Sequence, residues 1–196
     1  MSYVEYLKLI DNLLLEGKTT GTNQSEAMFN YGKINRQRMH RLEKTVELSE
    51  AVISAAKNTK RRVIWLILTE GWCGDAAQNI PVIEKIASQS GSIETRYILR
   101  DENLDLMDQF LTNGARSIPK LIAIDAETLE VIGTWGSRPA PAQKLFYELK
   151  EQGIEKSLIM EDLQRWYNAD KSQTIQKEFA EFIEQGEGKQ VSKARV

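Results

Sequence analysis

Apolar and polar residues follow different patterns in three sections of the chain. Residues 1–59 and 153–196 carry apolar side chains every three or four positions, which is typical of amphipathic helices. Residues 60–152 instead alternate short apolar runs with helical stretches, which is typical of a sheet flanked by helices. We therefore predict one globular unit with an N-terminal helical extension, a central domain, and a C-terminal helix followed by a flexible tail.

The N-terminal extension is predicted to contain two helices. Apolar residues at helical spacing predict the first helix over residues 3–14, and a Gly-, Thr- and Asn-rich stretch at 16–24 predicts a loop. Asn23 followed by Glu26 resembles a capping box that starts the second helix. The apolar stripe of this second helix continues to Ala56.

Three further expectations concern helix continuity at the two ends of the chain. Gly32 is expected to break the first turns of the second helix. A single C-terminal helix is predicted over residues 158–183, with Trp166 and Tyr167 serving its core packing. The residues after Gln185 contain Gly and several Lys or Arg and predict a disordered tail.

The central section predicts the order strand, helix, strand, helix, strand, strand, helix. Its first strand is a continuous apolar run, as expected for a strand that is buried on both faces. The last two strands are joined by a short polar turn, which favours a hairpin. This order predicts an α/β fold with a mixed sheet and helices on both faces. The elements are predicted over residues 63–68, 74–89, 93–99, 104–111, 120–124, 131–135 and 141–152.

Composition narrows the class of protein. The 26 Lys and Arg residues face 28 Asp and Glu residues, for a net charge of −2, so we expect no nucleic-acid partner. The apolar run at 63–68 is far shorter than the roughly 20 residues of a membrane-spanning helix, and the N-terminus has no secretory pattern. We expect a cytoplasmic protein without a membrane partner. With Cys73 as the single cysteine and His40 as the single histidine, we expect no disulfide within the chain, no metal site, no cofactor and no Cys–His pair.

The single cysteine lies in a segment with a recognisable pattern. Residues 70–81 read EGWCGDAAQNIP, and they follow the predicted buried strand and open a helix. The segment resembles the active site of thioredoxins, whose signature is Trp-Cys-Gly-Pro-Cys. Pro81 lies eight residues after Cys73, where thioredoxins have a helix-kinking proline. The pair Ile118-Pro119 directly precedes a predicted strand and looks like the cis-proline loop of that family.

The resemblance covers roughly the middle half of the chain and implies a thioredoxin-like fold. It implies a role in cell redox homeostasis, with Cys73 as the nucleophile and Trp72 as its shield. Trp72 and Gly74 would line the substrate site, and the backbone of Ile118 and Pro119 would dock an extended substrate segment. The implied partners are protein thiols or a low-molecular-weight thiol.

Three departures from the thioredoxin pattern change this expectation. Ala76 occupies the position of the second cysteine, so the chain has no resolving thiol for dithiol exchange. Asp75 replaces the proline of the signature. Ile67 stands where thioredoxins place a buried Asp that shuttles protons. Cys73 is therefore expected either to act as a monothiol through mixed disulfides, or to be a relic thiol in a non-catalytic peptide- or protein-binding module.

Two opposing effects act on the pKa of Cys73. A helix N-terminus stabilises the thiolate, whereas the neighbouring Asp75 carboxylate opposes it, and the sequence leaves the balance open. Asp75 is expected to be either a simple helix-start acid or a general base that modulates Cys73. Arg138, in the loop before the last domain helix, is expected either to bind a carboxylate or an anionic thiol, or to lie in a plain surface loop. The oligomeric state also stays open.

Overall fold

The computed structural model describes residues 1–188, which form a four-stranded sheet surrounded by helices. A single 3₁₀ turn, Arg100–Glu102, follows the second strand. In chain order the helices and strands are α1 Tyr3–Leu15, α2 Glu26–Thr45, α3 Glu50–Asn58, β1 Val63–Thr69, α4 Gly74–Ala87, β2 Ile93–Leu99, α5 Leu104–Met107, β3 Lys120–Asp125, β4 Val131–Trp135, α6 Ala140–Glu151, α7 Lys156–Asp170 and α8 Gln173–Gly188.

The sheet has the strand order β2-β1-β3-β4. β1 pairs with β2 in parallel and with β3 in antiparallel, and β3 and β4 form the predicted antiparallel hairpin. The prediction of an α/β fold with a mixed sheet is therefore confirmed. The strand positions are also confirmed, because each observed strand agrees with its prediction to within one residue.

Two of the helices predicted to be continuous are each split into two, so those predictions are wrong. Between α2 and α3 the backbone is extended at Val46, and the Ser49 side chain caps α3 by accepting a hydrogen bond from the Val52 N–H at 3.5 Å. Between α7 and α8 the chain turns at Lys171 and Ser172, whose φ angles are 51° and 63°. Both of these residues are left-handed, and an α-helix cannot continue through left-handed residues.

The predicted start and break of α2 are also wrong. Ser25, not Asn23, caps the helix by accepting from the Met28 N–H, while the Asn23 side chain accepts from the N–H of Ser25. Gly32 lies inside an unbroken helix, where a Cβ atom would be 3.0 Å from Thr19 Oγ1. Glycine at this position therefore allows the loop after α1 to approach α2 closely.

The main apolar core includes side chains from α8, far outside the central section. The Phe179 ring is fully buried, and its centroid lies 5.3 Å from that of Trp65 on β1 and 5.2 Å from that of Trp135 on β4. Phe182 packs beside it against the sheet, where a Cβ atom at Gly133 would lie 2.9 Å from the Phe182 ring. α8 therefore covers the part of the sheet that contains β1 and β4.

α6 and α7 form a second apolar cluster that is separate from the main core. Its buried members are Ala142 from α6 and Ile159 and Leu163 from α7. The half-buried side chains packed against them also come from α6 and α7, and they are Leu145, Phe146, Leu149, Met160 and Trp166. The two helices are thus a hairpin with a small apolar interface of its own.

The C-terminal end of the described chain is helical beyond its predicted limit. α8 continues to Gly188, whereas the tail was predicted to start after Gln185. The rest of the predicted tail lies outside the described residues. No helix within residues 1–188 is both long enough and apolar enough to cross a membrane.

Candidate functional site

Cys73 lies between β1 and α4 and is the N-cap residue of α4. Its backbone is extended, with φ −81° and ψ 118°, so the side chain turns back toward the first turn of the helix. The Sγ atom accepts a hydrogen bond from the Ala76 N–H at 3.5 Å and donates one to the Ile118 carbonyl at 3.3 Å. Only 8% of the residue is exposed to solvent.

Burial decides the protonation state of Cys73. Burial is the largest effect and, with the nearby Asp75 carboxylate, raises the pKa of the Cys73 thiol to about 12, although the Ala76 N–H and the Arg138 guanidinium act in the opposite direction. The effect of the helix N-terminus on the pKa of Cys73 is therefore smaller than the combined effects of burial and of the Asp75 carboxylate. Cys73 in this conformation is a protonated thiol at neutral pH.

The loop that faces Cys73 is packed closely against a second loop. The Ile118–Pro119 peptide bond is cis, and both residues are buried. Gly136 lies against this loop with a φ angle of 121°, and a Cβ atom there would be 2.2 Å from the Pro119 carbonyl oxygen. Only glycine allows this approach. The close contact places the next residues of the second loop, including Arg138, beside the thiol.

Asp75 is the centre of a buried polar network next to Cys73. Its carboxylate accepts a hydrogen bond from the Tyr167 hydroxyl at 2.9 Å and forms an ion pair with Arg138 at 2.6 Å. The Asn79 side chain donates both to the Asp75 carbonyl at 2.8 Å and to the Tyr167 hydroxyl at 3.1 Å. Burial raises the pKa of Asp75, and the Arg138 guanidinium opposes that shift.

Arg138 is held mainly by residues of its own loop and of α6. Its guanidinium lies 4.3 Å from the centroid of the Phe146 ring and donates to Ser137 Oγ at 3.3 Å and to Gln143 Oε1 at 3.4 Å. Its side chain is only 9% exposed, so the expectation of a plain surface loop is wrong. The carboxylate that Arg138 binds belongs to Asp75 of the same chain.

The N-terminal extension contacts the backbone just before Cys73. The Gly71 N–H donates to Thr20 Oγ1 at 2.8 Å, and the Gly71 carbonyl accepts from Asn35 Nδ2 at 3.2 Å. Arg38 donates to Asn35 Oδ1 at 2.7 Å, which orients that amide. Residues from before the central section thus fix the loop that carries Cys73.

Trp72 and its neighbours form the other side of the site. Trp72 is half-buried, and the Arg100 guanidinium lies 5.0 Å from its ring centroid. Glu70 is fully buried, and its Oε1 accepts from the Asp101 N–H at 2.9 Å. Its Oε2 has no hydrogen-bond partner among the described residues, and burial raises the pKa of its carboxyl.

The predicted site residues meet in space but differ in accessibility. Cys73, Asp75, Ile118 and Pro119 are buried, and Gly74 is exposed at the first position of α4. The roles of Tyr167, Asn79, Thr20 and Asn35 were not predicted from the sequence. The polar hydroxyl of Tyr167 on the inner side of a helix was the one available signal, and it was interpreted as core packing.

The single histidine lies apart from this network. His40 is exposed, and its Nδ1 atom is 3.7 Å from a Glu43 carboxylate oxygen. Within residues 1–188, no group of three or more His, Cys, Asp or Glu side chains is arranged to hold a metal ion.

The mixed sheet, the cysteine at the start of α4 and the loop Ile118–Pro119 against its sulfur define a thioredoxin-like protein with a single thiol. The chain belongs to the thioredoxin family, because the family model described as "Thioredoxin" matches residues 21–152. The match begins within the N-terminal extension and ends at the end of α6.

Two solved structures share this fold over nearly the whole chain. One is a protein of unknown function from Pseudomonas aeruginosa, with a TM-score of 0.58 and 19% identity over 94% of this chain and 98% of that one. The other is an HIV epitope-scaffold, with a TM-score of 0.56 and 19% identity over the same shares of the two chains. No curated protein matches the chain. At this identity the two structures establish the fold alone.

Proposed function

We propose that this thioredoxin-family protein acts as a monothiol, with Cys73 forming mixed disulfides with a protein thiol or a low-molecular-weight thiol. The observation that carries the proposal is the position of Sγ, between the Ala76 N–H at the start of α4 and the carbonyl of Ile118. A backbone N–H at a helix start stabilises a thiolate, and the loop beside it offers backbone groups to an extended partner. A cytoplasmic, reducing environment fits a single free thiol.

The chemical step would be one thiol–disulfide exchange. The Cys73 thiol loses its proton, and the thiolate attacks one sulfur of a partner disulfide. A new bond forms between Cys73 and that sulfur, the original S–S bond breaks, and the leaving thiolate takes up a proton. Cys73 is oxidised and the leaving thiol is reduced. With Ala76 in the position of a resolving cysteine, an external thiol has to reverse the step.

The buried state of Cys73 limits when this step can occur. With a pKa of about 12, only about one thiol in 10⁵ is ionised at pH 7. Reaction therefore requires a conformation in which water or a partner reaches the sulfur. Asp75 is proposed to act as a modulator, since its charge disfavours the thiolate as long as it lies beside Cys73.

A second candidate is a non-catalytic module that binds a peptide or protein through the thioredoxin groove. The same burial and raised pKa of Cys73 favour it, because a protonated and covered thiol packs as a small apolar side chain. Trp72, Gly74, Ile118 and Pro119 would then bind the partner without covalent chemistry.

The first test is adduct formation on the folded protein. We expect incubation with glutathione disulfide, or with a peptide disulfide, to add one thiol to the chain, as measured by intact mass under native conditions. Because Cys73 is the single cysteine, any added thiol must be attached to it, and Cys73→Ser should abolish the adduct. Absence of adducts with both probes, while circular dichroism shows an intact fold, would contradict the monothiol proposal.

A capture experiment separates the two candidates. If Cys73 acts covalently, partner proteins isolated with the wild-type chain should be released by dithiothreitol and should be missing with Cys73→Ser. If the protein is a binding module, wild type and Cys73→Ser should retain the same partners without any reductant dependence.

A further inference from the structure

The α6–α7 hairpin contacts Asp75 largely through polar groups. Its apolar side chains pack mainly on one another, in the cluster around Ala142 and Leu163 described above. In contrast, α8 buries Ile175, Phe179 and Ile183 in the main core. Moving the hairpin away from α4 would therefore leave the main apolar core largely covered.

Four polar contacts connect the hairpin and its preceding loop to α4, and one of them is the hydrogen bond from the Asn79 side chain to the Tyr167 hydroxyl at 3.1 Å. Tyr167 donates to Asp75 at 2.9 Å, and Arg138 pairs with Asp75 at 2.6 Å. One turn further along α4, the Gln78 side chain donates to Gln164 Oε1 at 3.0 Å. Arg138 moves with the hairpin, because its guanidinium stacks on Phe146 of α6.

The backbone at both ends of the hairpin is not helical. The loop before α6 contains Gly136 with a φ angle of 121°, and the turn after α7 consists of the left-handed residues Lys171 and Ser172. Within the hairpin, the turn from α6 to α7 is closed by backbone hydrogen bonds from Gly153 and Ile154 to α6 carbonyls. The hairpin is therefore closed at its own turn and is joined to the rest of the chain by two short non-helical connections. Hinged elements in proteins commonly have this arrangement.

We propose that the α6–α7 hairpin is a lid over the Cys73 site, latched by the contacts of Tyr167 and Arg138 with Asp75. Opening breaks these four polar contacts, exposes the Asp75 carboxylate to water and uncovers the approach to Cys73. Water around Asp75 then weakens the effect of its charge, which helps to raise the pKa of the Cys73 thiol. The proposal goes beyond the proposed function and does not depend on it, since a binding groove would be gated by the same movement.

Hydrogen exchange on the unmodified chain tests the lid directly. Amides of α6 and α7 should exchange together, at least about tenfold faster than amides of β1 and β3 after correction for intrinsic rates. Their exchange should depend only weakly on low urea concentrations, because opening the lid exposes little apolar surface. If α6–α7 amides instead exchange at the rates of β1 and β3 at every urea concentration, the hairpin opens only on global unfolding and the proposal is wrong.

Alkylation of Cys73 tests the latch. Tyr167→Phe removes the hydroxyl that binds Asp75 but keeps the ring, and a hydrogen bond to a carboxylate is strong enough that we expect iodoacetamide to react about tenfold faster or more. Tyr31→Phe is the matched control, because Tyr31 is 52% exposed on α2, and its alkylation rate should equal that of wild type. Equal rates for Tyr167→Phe and Tyr31→Phe would contradict the latch. If Tyr167→Phe fails to fold, the exchange experiment on the unmodified chain decides the question.

Discussion

At the scale of single residues, Cys73 illustrates how tertiary contacts reverse a local electrostatic preference. The start of α4 offers the Ala76 N–H to the sulfur, which by itself favours a thiolate. Burial of the sulfur and the charge of the Asp75 carboxylate have the larger effect on the pKa, and they keep the thiol protonated. Asp75 in turn stays in this buried place because Arg138 and Tyr167 satisfy its oxygens.

This balance predicts how the free energy of unfolding depends on pH. The folded chain retains the Cys73 proton up to a pKa of about 12, whereas an unfolded thiol loses it near about 8.5. The contribution of Cys73 to the free energy of unfolding is therefore fully present below about pH 8.5. It is lost as the pH rises toward the pKa of the folded chain, at up to about 1.4 kcal/mol per pH unit.

Urea unfolding at pH 8, 9 and 10 checks the prediction. The wild type should lose stability more steeply than Cys73→Ala, and the other titrating groups cancel because both proteins carry them. Parallel pH profiles for the two proteins would mean that the folded thiol titrates like an exposed one.

At the scale of elements, α6 and α8 pack against different parts of the protein. α6 has a single fully buried residue, Ala142, and it packs in the small cluster with α7. α8 instead covers the sheet, and its Phe179 contacts tryptophans on two strands. The last helix of the family-matched region therefore contributes to the site, and a helix after that region completes the core.

Replacing Phe179 tests whether α8 contributes to the main apolar core. Phe179→Ala leaves a cavity beside Trp65 and Trp135, so we expect the free energy of unfolding to fall by about 3–5 kcal/mol. Phe29→Ala is the matched control, because Phe29 lies on α2 outside both apolar clusters, and the loss there should stay below about 1 kcal/mol. Similar losses for the two variants in urea unfolding would contradict a core role for α8.

At the scale of the whole molecule, both terminal sections support the central domain. The N-terminal extension binds Gly71 through Thr20 and Asn35, and the C-terminal section supplies α8 to the core. We therefore expect a chain that ends at Gln152 to expose Trp65 and Trp135 and to lose cooperative unfolding.

Thermal unfolding and binding of an apolar dye test this expectation. A chain that ends at Gly188 is the control and should unfold like the full protein, because it keeps all of α8. Cooperative unfolding of the chain ending at Gln152, at the midpoint of the full protein, would show that the central domain is independent of α8.

The fold of the central section was predictable because its signals are local. A continuous apolar run predicted β1, a short polar turn predicted the hairpin of β3 and β4, and the pattern around Cys73 indicated the family. The breaks at residues 46–49 and 171–172 were missed. The apolar stripe continues across both breaks and outweighed the local helix-start signals, which are Ser49 before Glu50 and Asp170 four residues before Thr174.

The family, the order of strands and helices along the central section and the absence of a second thiol could all be derived from the sequence, since they depend on short patterns and on composition. The protonation state of Cys73 and the order of the strands in the sheet required the three-dimensional structure, because the pKa depends on burial and on the position of Asp75. Tyr167 reaches Asp75 from 92 residues further along the chain, and α8 rather than α6 covers the sheet. Such contacts depend on how distant helices pack, which periodicity along a single helix does not encode.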